Sequence, residues 1–69
     1  MKFSQKVLFL RKKRGLTQTE LAKLTGLTQG SISQFEAGKI KPKADALLSL
    51  AKVLNIDPAA LMNDERKLS

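Results

Sequence analysis

Gly15, Gly26 and Gly38 each close a short run whose apolar residues recur at helical spacing, and this punctuation limits the chain to a set of brief helices. Glycine ends a helix at little cost because it enters the left-handed backbone region without a Cβ clash. The first run, from about Ser4 to Arg14, carries Phe3, Val7, Leu10 and the stem of Arg14 along one side, and "KKR" in its last turn suits the helix dipole. In "TQTE", Thr17 is an N-cap and Glu20 completes a capping box ahead of "LAKL". Gly26 ends that second helix, and Leu27 turns back toward the core. Thr28 caps a third helix that Gly38 ends. "KIKPK" is a loop, since Pro42 restricts Lys41 to extended geometry. A fourth helix, Ala44 to Leu54, sets Leu47, Leu50, Ala51 and Leu54 against Asp45, Ser49 and Lys52, and Asn55 closes it. Asp57 and Pro58 supply the N-cap and N1 positions of a short fifth helix, "AALM". No strand pattern, repeat or low-complexity segment appears. The expected fold is all-α: a compact five-helix bundle over residues 1–63, with 64–69 as a frayed tail or the start of a linker.

A chain of 69 residues has room for one domain and one small core. With no cysteine, neither a disulfide framework nor a thiolate metal site supports it. The longest apolar run near the N-terminus, "VLFL", is too short for a signal peptide or a membrane span, so a soluble cytoplasmic protein is expected. His, Cys, Tyr and Trp are all absent, and the six acids are scattered without a pair at metal-ligand spacing. Catalysis, a metal, a cofactor and a small-molecule ligand are therefore not expected. Charge is unevenly placed. Residues 1–43 hold ten Lys or Arg against two acids, and residues 44–69 hold three against four, giving +8 and −1 and a total of +7. A basic first part on a near-neutral remainder points to a polyanionic partner.

The unit from residue 17 to 37 is a helix, a short turn containing Gly, and a second helix, which is helix-turn-helix architecture. Its second helix, "TQGSISQFE", is rich in poor helix formers. With Ile32 at zero on a wheel of about 100° per residue, Phe35 falls near about −60° and the core direction near about −30°. The opposite face holds Gly30, Gln34 and Ala37 with Ser33 beside them, and Gln29 reaches forward from the helix start. An unpartnered solvated face would more usually carry Lys, Glu and Arg. Small residues let a backbone approach a groove closely, and Gln can pair with adenine N6 and N7. Gln29, Gly30, Ser33 and Gln34 are accordingly expected to read base edges.

Glu36 falls near about 40° on the same wheel and Arg11 lies about 40° from Val7 on the first, so both stand beside the core. Each is costly to bury alone, and together they can satisfy one another. A partly buried Arg11–Glu36 pair is expected. Phosphate-contact candidates are Gln18 and Thr28 at the two helix starts, Lys39, Lys41 and Lys43 in the loop, and Arg14 with Lys13 at the far end. Phe9 faces away from the first helix's core stripe; with Leu8 it is a candidate contact for a partner.

"GLTQTELAKLTGLTQGSISQFEAGK" resembles the DNA-binding domain of the lambdoid phage repressor and Cro family, the xenobiotic-response-element regulators, and the likeness covers about residues 4–62. The resemblance implies five helices, a two-fold dimer and the third helix in the major groove. By position it makes Gln18 a phosphate-touching glutamine, places Thr28, Gln29, Gly30, Ser33 and Gln34 at recognition positions, and matches Arg11 and Glu36 to a buried ion pair. Gly30 and the short Ser33 depart from the family pattern, and Ala37 stands where Asn is frequent. Ile56, Pro58 and Met62 fall at the family's dimer contact, with Leu61 assigned to the core. The expected function is that of a dimeric, sequence-specific double-stranded DNA-binding transcriptional regulator, a repressor acting by occupying an inverted-repeat operator. It would be either a complete Cro-like protein or the N-terminal domain of a longer repressor. The rival is a protein-interaction or antitoxin-type module on the same fold, docking through Leu8/Phe9 and Ile56/Met62. RNA binding ranks third, because few aromatics are available for stacking.

Overall fold

The computed structural model describes residues 1–63 and has five helices: α1 (Phe3–Lys13), α2 (Gln18–Thr25), α3 (Gln29–Glu36), α4 (Ala44–Leu54) and α5 (Pro58–Met62). The expected tail, 64–69, lies outside the described residues. No strand occurs among the described residues. α1 packs on α3, α4 and α5; α2 packs on α3 and α4; and α4 packs on α5.

Short-range chemistry sets the ends. Thr17 Oγ1 accepts from the Glu20 N–H at 3.0 Å while the Glu20 carboxylate accepts from the Thr17 N–H at 2.8 Å, closing the capping box at the start of α2. Gly26, at φ +75°, turns the chain so that the Leu27 N–H donates to Ala22 O at 3.0 Å. Only residues 26–28 separate α2 from α3, so the two helices are held as a tight pair. After α3, Gly38 at φ +76° lets the Lys39 N–H donate to Gln34 O at 3.0 Å. Asn55 closes α4 at φ +58°.

Two details differ from the sequence reading. Arg14 is exposed and lies past the last residue of α1, so its stem joins no core stripe. The cause is Gly15 at φ +72°, which swings the chain so that the Leu16 N–H donates to Arg11 O at 3.1 Å. Asp57 stands at the N-cap of α5 with Pro58 at N1, yet its side chain makes no cap hydrogen bond.

The core joins Phe3 and Val7 of α1, Leu21 and Ala22 of α2, Ile32 and Phe35 of α3, Leu50, Ala51 and Leu54 of α4, and Leu61 of α5. Leu10 and Leu47 are only half-buried at its edge. Complete burial of side chains such as Leu21, Ile32, Leu50 and Leu61 contributes about 1.5–3 kcal/mol each. Phe3 meets Phe35 edge to face at 6.2 Å between ring centres, which pins the start of α1 to the last turn of α3.

Lys6 is the unforeseen member of this interior. It is 8% exposed, and its Nζ donates to Ala60 O at 2.6 Å and to Asn63 O. The ammonium thus satisfies carbonyls at the C-terminal end of α5, where helix carbonyls lack partners and cations are favoured. α5 is thereby tied to α1 by a polar bond as well as by Leu61.

Candidate nucleic-acid interface

α3 offers one uncharged face to the outside, because Ile32 and Phe35 commit the other face to the core. Gln29, Gly30, Gln34 and Ala37 are exposed, while Ser33 is half-buried. No Cβ is present at Gly30, and the nearest atom such a Cβ would meet is Thr28 Oγ1 at 4.0 Å, so the backbone there is open on its outer side. Thr28 Oγ1 accepts from the Ser31 N–H at 3.0 Å and donates to Ser31 Oγ at 2.9 Å, which commits its hydroxyl to capping α3.

Behind this face stands an ion pair. Arg11 Nε donates to Glu36 Oε2 at 2.6 Å and Nη2 donates to Glu36 Oε1 at 3.0 Å, with the two side chains 10% and 6% exposed. Arg11 Nη1 donates to Leu16 O at 2.8 Å, so the guanidinium also holds the segment entering α2. A two-pronged pair of this kind resists rotation as well as separation. It locks the end of α3 onto α1.

The pair continues outward. Gln18 Nε2 donates to Glu36 Oε1 at 2.9 Å, and Gln29 Nε2 donates to Gln18 Oε1 at 2.7 Å. Gln18, expected to reach outward alone from the start of α2, is folded back between Glu36 and Gln29. The structure brings Arg11, Glu36, Gln18 and Gln29 into one chain of hydrogen bonds. Helical wheels bring the first two together, but the last link depends on rotamers meeting across the turn, for which the sequence holds no signal.

Arg14, Lys39, Lys41 and Lys43 are exposed, the three lysines on the loop between α3 and α4. That loop also borders a shallow cavity formed with Lys2, Phe3 and Ser4 at the start of α1. Ile56, just ahead of α5, and Pro58 and Met62 within it are all half-buried in the single chain. Phe9 is 51% exposed on α1, and Leu24 and Leu48 are more exposed still. Among the described residues, no group of three or more His, Cys, Asp or Glu stands where it could hold a metal ion, and no helix is long and apolar enough to cross a membrane.

This arrangement is shared with known proteins. The chain is 34% identical over 47 residues to Repressor protein C of Escherichia phage P2, covering 68% of this chain and 48% of that protein. It is 34% identical over 55 residues to Repressor protein C2 of Salmonella phage P22, covering 80% of this chain and 26% of that protein. The chain thus spans about half or less of the length of these relatives. Its structure superposes on the P22 c2 repressor in complex with a synthetic operator with a TM-score of 0.90 and 29% identity, over 94% of this chain and 98% of that one. It also superposes on the restriction-modification controller protein C.AhdI of Aeromonas hydrophila with a TM-score of 0.80 and 35% identity, over 87% and 91% of the two chains. Residues 9–61, from the middle of α1 into α5, match the model of the family HTH_3, described as Helix-turn-helix. With that match running through both helices of the 17–37 unit and the core that supports them, the chain belongs to the Helix-turn-helix family.

Proposed function

We propose that the chain is a sequence-specific double-stranded DNA-binding transcriptional regulator, a repressor that acts by occupying an operator as a dimer with α3 in the major groove. The observation that carries this reading is the uncharged, open outer face of α3 on a rigidly anchored helix, in a fold that superposes on an operator-bound repressor over almost its whole length. Gln29, Gly30, Ser33 and Gln34 are the base-reading positions. Small groups bring the backbone near the base edges, and the amides supply donors and acceptors. Gln18, Thr28, Arg14, Lys39, Lys41 and Lys43 are the phosphate-contact positions, which orient the domain and give binding its salt dependence. Thr28 contributes through its place at the start of α3, where free N–H groups point outward. Ile56, Pro58 and Met62 form the contact between two copies.

Selection of bound sites from a random duplex library, repeated at low and near-physiological salt, tests the reading. The expected product is an inverted repeat with half-site centres about one helical turn apart. Gln29→Ala and Gln34→Ala each relax one or two positions per half-site. Recovery of no motif, with binding that vanishes at the higher salt, would reduce the basic face to nonspecific attraction. It would also turn attention to Phe9 as a docking point for protein.

A further inference from the structure

We infer that Lys6 sets how strictly a dimer on its operator measures the spacing between half-sites, by holding α5 at a fixed angle to the helix that anchors α3. The inference rests on the dimeric reading proposed above and names what makes that dimer contact rigid. α5 has little order of its own. It is five residues long, too short to persist unaided, and Asp57 gives it no side-chain cap bond. Leu61 is fully buried and holds it against the core, but apolar burial has no direction, so the helix could still turn about that one side chain. Lys6 removes this freedom. Its Nζ donates to Ala60 O at 2.6 Å and to Asn63 O, at the end of the same short helix. Hydrogen bonds weaken steeply off line, so two of them from one ammonium to two points fix rotation as well as distance.

The other end of the path starts on the same helix. Arg11 lies five residues after Lys6 in α1, a rise of about 7.5 Å, and holds Glu36 of α3 by two bonds. Phe3, in the first turn of α1, meets Phe35 of α3 edge to face. α1 therefore carries both the anchor of the proposed reading helix and the anchor of the proposed dimer helix. In a dimer joined at Ile56, Pro58 and Met62, the path from α3 through α1 to α5 in each copy sets how far apart the two α3 helices stand and how they are turned. One base pair more between half-sites rotates the second by about 35° around the DNA axis. A path fixed at both ends cannot absorb that error, whereas an α5 free to turn can. Lys6 is a positioning residue in this arrangement: it belongs neither to the base-reading set nor to the contact between copies.

The test compares three duplexes: the selected operator, the same operator with one base pair added between its half-sites, and a single half-site. Wild-type protein is expected to prefer the selected spacing over the longer one by at least about tenfold, the size of an ordinary coupling between sites. Lys6→Met keeps the apolar stem and removes the donor. It is expected to narrow that preference to about threefold or less, with affinity for the single half-site within about twofold of wild type. Lys6→Arg, which keeps the charge and the donors, is expected to retain the wild-type preference. An undiminished preference in Lys6→Met would overturn the inference, as would an equal loss on all three duplexes, which a general weakening of the fold produces. A Lys6→Arg protein as permissive as Lys6→Met would also overturn it, since the bonds would then not be the cause. Failure of wild-type protein to select paired half-sites would instead overturn the dimeric reading beneath it. Should Lys6→Met not fold, Lys6→Gln, whose amide nitrogen falls one bond short of the ammonium position, takes its place under the same criteria.

Discussion

At the scale of single residues, the two buried cations, Arg11 and Lys6, do different work. Arg11 and Glu36 satisfy one another, so removing one strands the other. Arg11→Met is expected to lower unfolding free energy by about 3–5 kcal/mol in urea denaturation, because Glu36 remains in the interior without its partner. Arg11→Met combined with Glu36→Met is expected to recover at least half of that loss. A double variant no better than the single one would show that the pair contributes net stability of its own, contrary to this account. Lys6 has carbonyls for partners, so its neighbours can turn to water once the ammonium is gone. Lys6→Met keeps the apolar stem and is expected to cost only about 1–2 kcal/mol. The loss should be local, with amide exchange at Leu61 and Asn63 accelerated more than at Leu50. Uniform acceleration would place Lys6 among the general contributors to the core. Neither role was equally visible beforehand. The pair follows from two helical wheels, whereas the Lys6 partners lie 54 and 57 residues away and are backbone atoms, which no side-chain pattern reports.

At the scale of elements, α3 is built against its own propensity. Gly30 lies in its first turn, outside the left-handed region, with open space around its missing Cβ. Gly30→Ala is therefore expected to raise stability by about 0.5 kcal/mol, the low end for a glycine in a helix. The same methyl would stand on the face proposed to approach the bases, so operator affinity should fall, with the loss confined to one base pair per half-site. Paired melting and binding titrations check both halves. An alanine variant that is more stable and binds unchanged would remove Gly30 from the reading face. Gly38→Ala is the contrast, because φ +76° sets a cost of about 1–2 kcal/mol whatever the space. Caps and glycines of this kind made the five helices legible in order and nearly in length, since each acts over three or four residues. The ends were less so: a half-turn decided by Gly15 put Arg14 outside the stripe to which its spacing assigned it. The outer face of α3 was legible for the same local reason. The Gln18–Gln29 bond was not, because it forms only after the turn has set the two helices side by side.

At the scale of the whole molecule, the distribution of charge bears on how two copies could meet. The cations gather in residues 1–43, while residues 44–69 sum to −1, so the α4–α5 end can approach its own copy without strong repulsion. A single module of this size offers an interface of about 600–1,000 Å² to DNA, too little to discriminate one site among the very many that compete for it. Two modules joined through α5 would read two half-sites and add their selectivity. Met62 is half-buried in the isolated chain, on the short helix that Lys6 and Leu61 hold in place, so its outer part is available to a second copy. Met62→Glu would set two carboxylates against one another across such a contact and leave the α3 face untouched, while giving up the packing of Met62 at the edge of the core. Its affinity for a duplex with both half-sites is expected to fall by about tenfold to a hundredfold, the usual size of a coupling between sites. Its affinity for a duplex carrying one half-site should match that of wild-type protein. Anisotropy titrations on the two duplexes separate these effects. Equal binding of Met62→Glu and wild-type protein to the longer duplex would take the dimer contact away from α5, while a loss on both duplexes would mean that Met62 supports the fold.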